Sequence, residues 1–514
     1  MMSFREIFWR CKCSHRDARN LCFVAFLIFC SLGLMLESSI ASTYSEPPFI
    51  FILMYNGLGS LLLLLVSVWF VDAFELFAIF LFRVSRCKVA TKTHIKNKYT
   101  QHRHVVKAVL IGVLYFILVL SSAIIGYSKP RTRTIDVPLK RLPRCLDGYV
   151  AYSISSQENR ERRHFPITHR YEIAMIADLH VGPLVGRAEV QRIVNRVNTE
   201  FDADAIVLVG DIGDQEVGSV TKTKLQPLGD LVARDGVFWT SGNHENMRGV
   251  QEYRDAMSAL NVTVLENARR SVPILERRTN VCNVTFDLAA LADDSGSGQN
   301  MLDDDDVLKP DLDAALLDRN ESHALVLLNH QPIHSRKYAE RGAGLILSGH
   351  THGGQIWPQH MILLFSYDGV AGLFSIGSDS FLYVVFDRAL EFEFSSQSSV
   401  LLYTQNSNQH SNITLEHRYV SEGTINWGPR LRFLSYPEIT LLKLRSPEMH
   451  TVDIKLRPAE TSSYFAFYLV ILSVLICMIR SFCWERIRIR FRKNKKNDGD
   501  VVVPVGTLRK EDGL

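Results

Sequence analysis

The sequence predicts an α/β domain carried between α-helical membrane segments. Three observations support that expectation. Apolar residues gather into long runs near both ends of the 514-residue chain, a membrane pattern rather than a soluble one. Between those runs, short apolar stretches alternate with segments of helical spacing, the rhythm of an α/β sheet. The residues that close the short stretches are Asp, Asn and His, grouped where strand C-terminal ends gather chemistry.

Four runs qualify as spans: residues 21–35, 48–70, 105–127 and 463–482. The second continues to residue 82, interrupted by Asp72 and Glu75. A cleaved signal peptide would also account for the first, but no small-residue cleavage site follows it. Basic residues crowd the N-terminal flank, the loop 83–107 and the tail 484–514, whereas the loop 37–46 has no Lys or Arg. The positive-inside rule then makes both termini cytoplasmic. The expected organisation is a membrane region at 1–127, an extracellular or lumenal domain at 128–462, a last helix at 463–483 and a basic tail at 484–514. Asn261, Asn283, Asn320 and Asn412 open Asn-x-Ser/Thr acceptor sites for glycosylation inside that domain. Of nine cysteines only Cys145 and Cys282 fall there. An oxidising compartment would allow them to pair, though spacing alone does not show that they meet. A net charge of +4 is too small to imply a nucleic-acid partner.

Within the domain, residues 135–148 read as a connector broken by Pro138 and Pro143, and 156–170 as a polar surface loop. Residues 171–177 form a strand ending in DLH. A helix follows at 187–200, with Val190, Ile193, Val194 and Val197 on one face. The strand 205–209 ends in GDIGD, and the strand 236–240 ends in GNHE. Helices are expected at 224–234 and 249–260, and a short strand at 262–265. Two paired strands are expected over 271–292, with an acidic solvated loop at 293–306. The strand 324–328 ends in NHQP; a helix around 335–341 leads to a last strand ending in GHTHGGQ.

Collected, the strand ends supply Asp178, His180, Asp211, Asn243, His244, His330, His350 and His352. Carboxylate, amide and imidazole donors without cysteine suit Mn, Fe or Zn in a reactive site better than a structural zinc. Eight donors exceed what one ion needs and fit two ions sharing a bridging carboxylate, an arrangement suited to holding a phosphoryl group.

DLH, GDIGD, GNHE, NHQP and GHTHGGQ, in that order, resemble the five motifs of the calcineurin-like metallophosphoesterases. With the later YVSEGTINWGPRLR and PEITLLKLR they resemble the membrane-anchored branch, over about residues 138–365 and 416–445. The resemblance implies a β-sandwich flanked by helices, with mixed sheets. It assigns Asp178, His180 and His352 to one divalent ion and Asn243, His330 and His350 to a second, with Asp211 bridging. His244 would hydrogen-bond the phosphate or protonate the leaving oxygen, and Asp214 would orient His244 or a ligand. The implied activity is hydrolysis of lipid-linked or soluble phosphoesters at the bilayer. A weakly active scaffold or receptor of the same fold is the alternative; a transporter ranks last, since Asp72 and Glu75 alone offer an ion path. The stretch 366–415 departs from the family pattern, as a hairpin or lid beside the site or as a peripheral or non-coding insertion.

Overall fold

The structure is a computed structural model, and it describes residues 43–84, 92–142, 171–275, 283–297, 307–376 and 416–446. The segments expected at 21–35 and 463–482, the tail, the loop 156–170, Cys145, Cys282 and Asn412 lie outside the described residues.

Among the described residues two long helices come first, α1 (Phe49–Val84) and α2 (Lys92–Gly126). Each contains a stretch long and apolar enough to cross a membrane, Phe49–Phe77 and Val105–Gly126. The two pair through Asn56 Nδ2, which donates to Tyr127 Oη at 2.9 Å, and through the hydroxyls of Ser60 and Tyr115 at 2.8 Å. Asp72 and Glu75, the acids that interrupt the apolar run of α1, both face Lys107 of α2.

Four residues after α2 the chain enters β1 (Arg131–Pro138). There follow β2 (Tyr171–Ile176), α3 (Arg187–Glu200), β3 (Ala205–Val209), α4 (Ser219–Leu225) and β4 (Val237–Thr240). Next come α5 (Asn243–Arg248), α6 (Val250–Ala259), β5 (Thr263–Val264), β6 (Ala268–Leu275) and β7 (Asn283–Ala290). The second half holds α7 (Leu312–Ala315), β8 (Ala324–Leu328), α8 (Ser335–Glu340), β9 (Leu345–Ser348) and α9 (Gln359–Leu363). Three strands close the series: β10 (Gly372–Ser375), β11 (His417–Val420) and β12 (Glu438–Arg445).

The strands make two six-stranded mixed sheets, ordered β1-β12-β2-β3-β4-β5 and β10-β11-β9-β8-β7-β6. In the first, β2 to β5 run parallel and β12 lies antiparallel to β2. In the second, β7, β8, β9 and β11 run parallel between antiparallel edges β6 and β10.

Period-two alternation sorts the side chains into layers. Ile173 and Met175 of β2, Val207 and Val209 of β3 and Leu442 of β12 meet Phe286, Leu288, Val326, Leu328 and Leu347 of the other sheet in one core. Their neighbours Ala174, Ile176, Ile206 and Leu208 face outward under Val190, Ile193, Val194 and Val197 of α3, with Val250, Tyr253 and Met257 of α6. Leu325, Leu327 and Ile346 likewise pack beneath Leu312 and Tyr338. Both faces of the central strands are thus buried, which is why they read as unbroken apolar runs. Each Val, Leu, Ile, Phe or Met among them contributes about 1.5–3 kcal/mol on leaving water.

Several expectations are corrected. Residues 131–138 are a strand, pairing in parallel with β12 from Arg131↔Glu438 to Pro138↔Arg445; Pro138 ends it rather than breaking it. The helix expected at 224–234 is α4, followed by a 3₁₀ turn from Gln226 to Asp230, because Pro227 has no N–H to continue the α pattern. The short strand at 262–265 contracts to Thr263–Val264. Asp293, first residue of the acidic loop, is buried and accepts from Gln331 Nε2 at 3.0 Å. Within 366–415, the part described ends in β10, which pairs with β11. Of the four expected spans, the described residues include two, within α1 and α2; the other two lie outside them.

Candidate metal centre

The parallel strands of both sheets end on one rim, and each candidate donor follows such an end. Asp178 and His180 follow β2, Asp211 follows β3, Asn243 and His244 open α5 after β4, His330 follows β8, and His350 and His352 follow β9. Asp178, His180, Asp211, His350 and His352 have φ between 48° and 70°. This left-handed region costs roughly 1–2 kcal/mol for a residue with a Cβ, and strain of that kind collects where side chains must be aimed. Gly210 also lies there, at φ 69°. Gly242 is required for a different reason, because a Cβ on it would run into Asp211 and the ring of His330.

The side chains converge. His180 Nε2 and His352 Nε2 lie 2.9 Å apart, with His352 Nε2 3.7 Å from Asp178 Oδ1. On the other side His330 Nε2 is 3.2 Å from Asp211 Oδ2, and His350 Nδ1 is 2.8 Å from Asn243 Oδ1. Asp211 Oδ2 also lies 3.9 Å from His180 Nε2, so this carboxylate stands between the two clusters. Three sets of donor atoms each lie within 4.8 Å of one another: Asp178, His180 and His352; Asp211, His330 and His350; His180, Asp211 and His244.

Fixed partners set the orientations. His330 Nδ1 donates to the Val209 carbonyl at 2.9 Å, leaving Nε2 to face Asp211. Asp178 Oδ1 accepts from the His350 backbone N–H at 2.7 Å, and Asp211 Oδ1 from that of His244 at 2.9 Å. His244 Nδ1 lies 2.6 Å from Asp214 Oδ1, so its Nε2 is directed inward.

Burial pushes the Asp178 carboxyl up to about 7. It also pushes His180 down to about 4, with help from His244, and His350 down to about 3, with help from His330. Against burial, the charges of His330 and His244 hold Asp211 well below its usual range, and Asp211 raises His330 in return. Burial would also lower His244, but Asp211 and the Asp214 hydrogen bond bring it up to about 9.

Divalent cations fit these residues. Asp178 Oδ2 and His330 Nε2 are buried without a hydrogen-bond partner, a costly state for polar atoms. Two imidazole nitrogens 2.9 Å apart, on rings held neutral, present lone pairs to one point. A positive ion resolves both features, and the donors are hard or borderline.

Five neighbours belong to the site although no role was assigned to them from sequence. Glu245 accepts from the backbone N–H groups of Asp211, Gly213 and Gly242 at 2.7–2.9 Å, tying two strand ends together. Tyr367 Oη is 2.7 Å from His350 Nε2. Arg432, fully buried, donates to the carbonyls of Glu422 and Ile425 and to Ser435 Oγ. Gln355 holds Trp427 at both backbone atoms. Glu245 and Gln355 stand inside the motifs, and Trp427 and Arg432 inside YVSEGTINWGPRLR, but motif membership gave no contact. Tyr367 carried no signal, lying just inside the departing stretch.

The fold and this donor set define a metallophosphoesterase-type domain, and residues 171–354 match the calcineurin-like phosphoesterase family. The similarity to that family is carried by this domain. It is similar to a Bos taurus protein described as a transmembrane protein with metallophosphoesterase domain, at 29% identity over 351 residues, 66% of this chain and 70% of the bovine one. A Danio rerio protein of the same description is 25% identical over 345 residues, 66% and 69% of the two chains. An uncharacterized metallophosphoesterase of Helicobacter pylori is 31% identical over 274 residues, covering 53% of this chain and 59% of its own.

Proposed function

We propose that this chain is a membrane-anchored phosphoesterase working with two divalent metal ions. The observation that carries the reading is the gathering of carboxylate and imidazole donors, each set within 4.8 Å, at adjoining strand ends of two sheets. Asp178, His180 and His352 would hold one ion, Asn243, His330 and His350 the other, with Asp211 shared. Ions there would supply positive charge to phosphoryl oxygens and acidity to a water. His244, oriented by Asp214, holds its proton at Nε2 and delivers it to the leaving oxygen. Glu245 and Arg432 fix the loops that carry these groups.

Anchoring rests on α1, α2 and the names of the relatives, and the charge pattern favours a domain of residues 128–462 facing away from the cytoplasm. Asn261 and Asn320 are exposed, as acceptors for sugar must be. Glycosidase sensitivity at these positions supports that topology; cytosolic accessibility of the domain rejects it.

The test is hydrolysis of p-nitrophenyl phosphate and its diester by the full chain in nanodiscs with Mn²⁺ or Zn²⁺, with metal content measured alongside. Turnover abolished by Asp211→Asn and by His350→Ala is expected. Full metal loading without turnover, or turnover indifferent to both variants, leaves the scaffold reading instead.

A further inference from the structure

Trp427 stands beside His244, their ring centroids 5.9 Å apart and the planes at 70°. The indole is nonetheless 53% exposed, so much of its surface is open. Exposed tryptophans on loops are commonly mobile, but this one is held on both sides. Its backbone N–H donates to Gln355 Oε1 at 3.0 Å, and its backbone carbonyl accepts from Gln355 Nε2 at 2.9 Å. Gln355 closes the GHTHGGQ motif, three residues after His352, so the clamp ties the backbone that carries the indole to the loop that carries the histidines. Arg432 braces the other half of the loop, through the carbonyls of Glu422 and Ile425.

Resting on the reading of His244 as the proton donor, we infer that Trp427 is a platform for the leaving group. The group that receives the His244 proton must lie against His244, and the indole is the large apolar surface beside that ring. An aromatic face on a backbone already held in place adds affinity at a reduced ordering cost. It favours an alcohol with a flat or hydrocarbon surface over a small polyol. A nucleoside or aryl ring and a lipid glyceride both offer that chemistry.

The test compares the full chain with Trp427→Ala and Trp427→Phe on three probes with metal loaded: phenyl phosphate, glycerol 2-phosphate, and phosphatidate in phosphatidylcholine vesicles. Trp427→Ala is expected to lower kcat/KM about tenfold on phenyl phosphate, on vesicle phosphatidate or on both, with glycerol 2-phosphate changed less than about twofold. Trp427→Phe should recover most of the loss. Loss on phenyl phosphate alone identifies a ring, and loss on vesicles alone identifies a lipid. An equal loss on all three probes, or none, overturns the inference. Binding of phenylphosphonate against methylphosphonate by calorimetry keeps this separate from turnover. The wild type should prefer the phenyl compound at least about fivefold, and Trp427→Ala should erase the preference. Without that preference the platform is rejected even in an active enzyme; with it, the platform stands even if the assignment of His244 fails.

Discussion

Asp214 gives His244 its character, being 2.6 Å from Nδ1 and one of the charges that raise the ring to about 9. Asp214→Asn keeps an acceptor for Nδ1 and removes the charge. The ring then loses its proton at lower pH, so the alkaline limb of the pH–rate profile should move toward neutrality. A fall in kcat of about a hundredfold is expected from losing proper proton delivery, with an unchanged circular dichroism spectrum. A stationary alkaline limb would remove His244 from the proton-transfer role. Metal uptake carries its own proton count. Asp178, raised to about 7 by burial, is mostly protonated below that pH and must release the proton to bind an ion. Affinity should therefore drop by up to about tenfold per pH unit below 7 for each proton displaced. Calorimetry in buffers of different ionisation enthalpy reads this directly, and binding without proton release would contradict it.

At the scale of elements, the strand ends were the most legible part. Each central strand is buried on both faces, so apolar runs marked the strands and the polar residues after them marked the rim. β1 was hidden because RTRTIDVP mixes Arg and Thr with a proline, and its pairing with β12 joins segments about 300 residues apart. No local pattern records such a contact. The same holds for Tyr367, which reaches His350 across 17 residues. β11 carries an acid-sensitive group: burial outweighs the nearby Glu416 carboxylate and lowers the His417 imidazole below its usual 6.5. The unfolded chain then takes up a proton near pH 6.5 that the folded chain still refuses. Stability therefore rises with pH through that window and falls as the solution is acidified. His417→Leu should flatten the acid side of a plot of Tm against pH; an unchanged slope would mean another group controls it.

For the whole molecule, the helix pair is part of the site's construction. The backbone N–H of Arg430 donates to Asn56 Oδ1 at 2.8 Å, and that of Arg432 to the Ser122 carbonyl at 3.0 Å. The Arg430 guanidinium lies 4.8 Å from the Tyr127 ring centroid, and Trp357 stacks on Phe70 at 5.6 Å. Arg430→Ala should cost about 1 kcal/mol through the lost cation–π and Glu189 contacts. It should also weaken turnover, because the same loop holds Trp427. Thermal melting with kinetics in nanodiscs tests both, and a lower Tm with intact kcat/KM would uncouple the helices from the site. The sequence announced helices and domain separately and carried no sign of this seam, which depends on single side chains 300 residues apart.

Only four residues separate α2 from β1, and β1 is stitched at once into the first sheet. The domain is therefore mounted rather than leashed. Slack of that length leaves no arc to sweep and no reach toward distant ligands. Were α1 and α2 to lie in a bilayer as proposed, helix packing and interfacial anchors would set their tilt, and a tilt of the helix pair would be a tilt of the site. On the function proposed above, the site would therefore meet a phosphoester at one height and one angle relative to the helix pair.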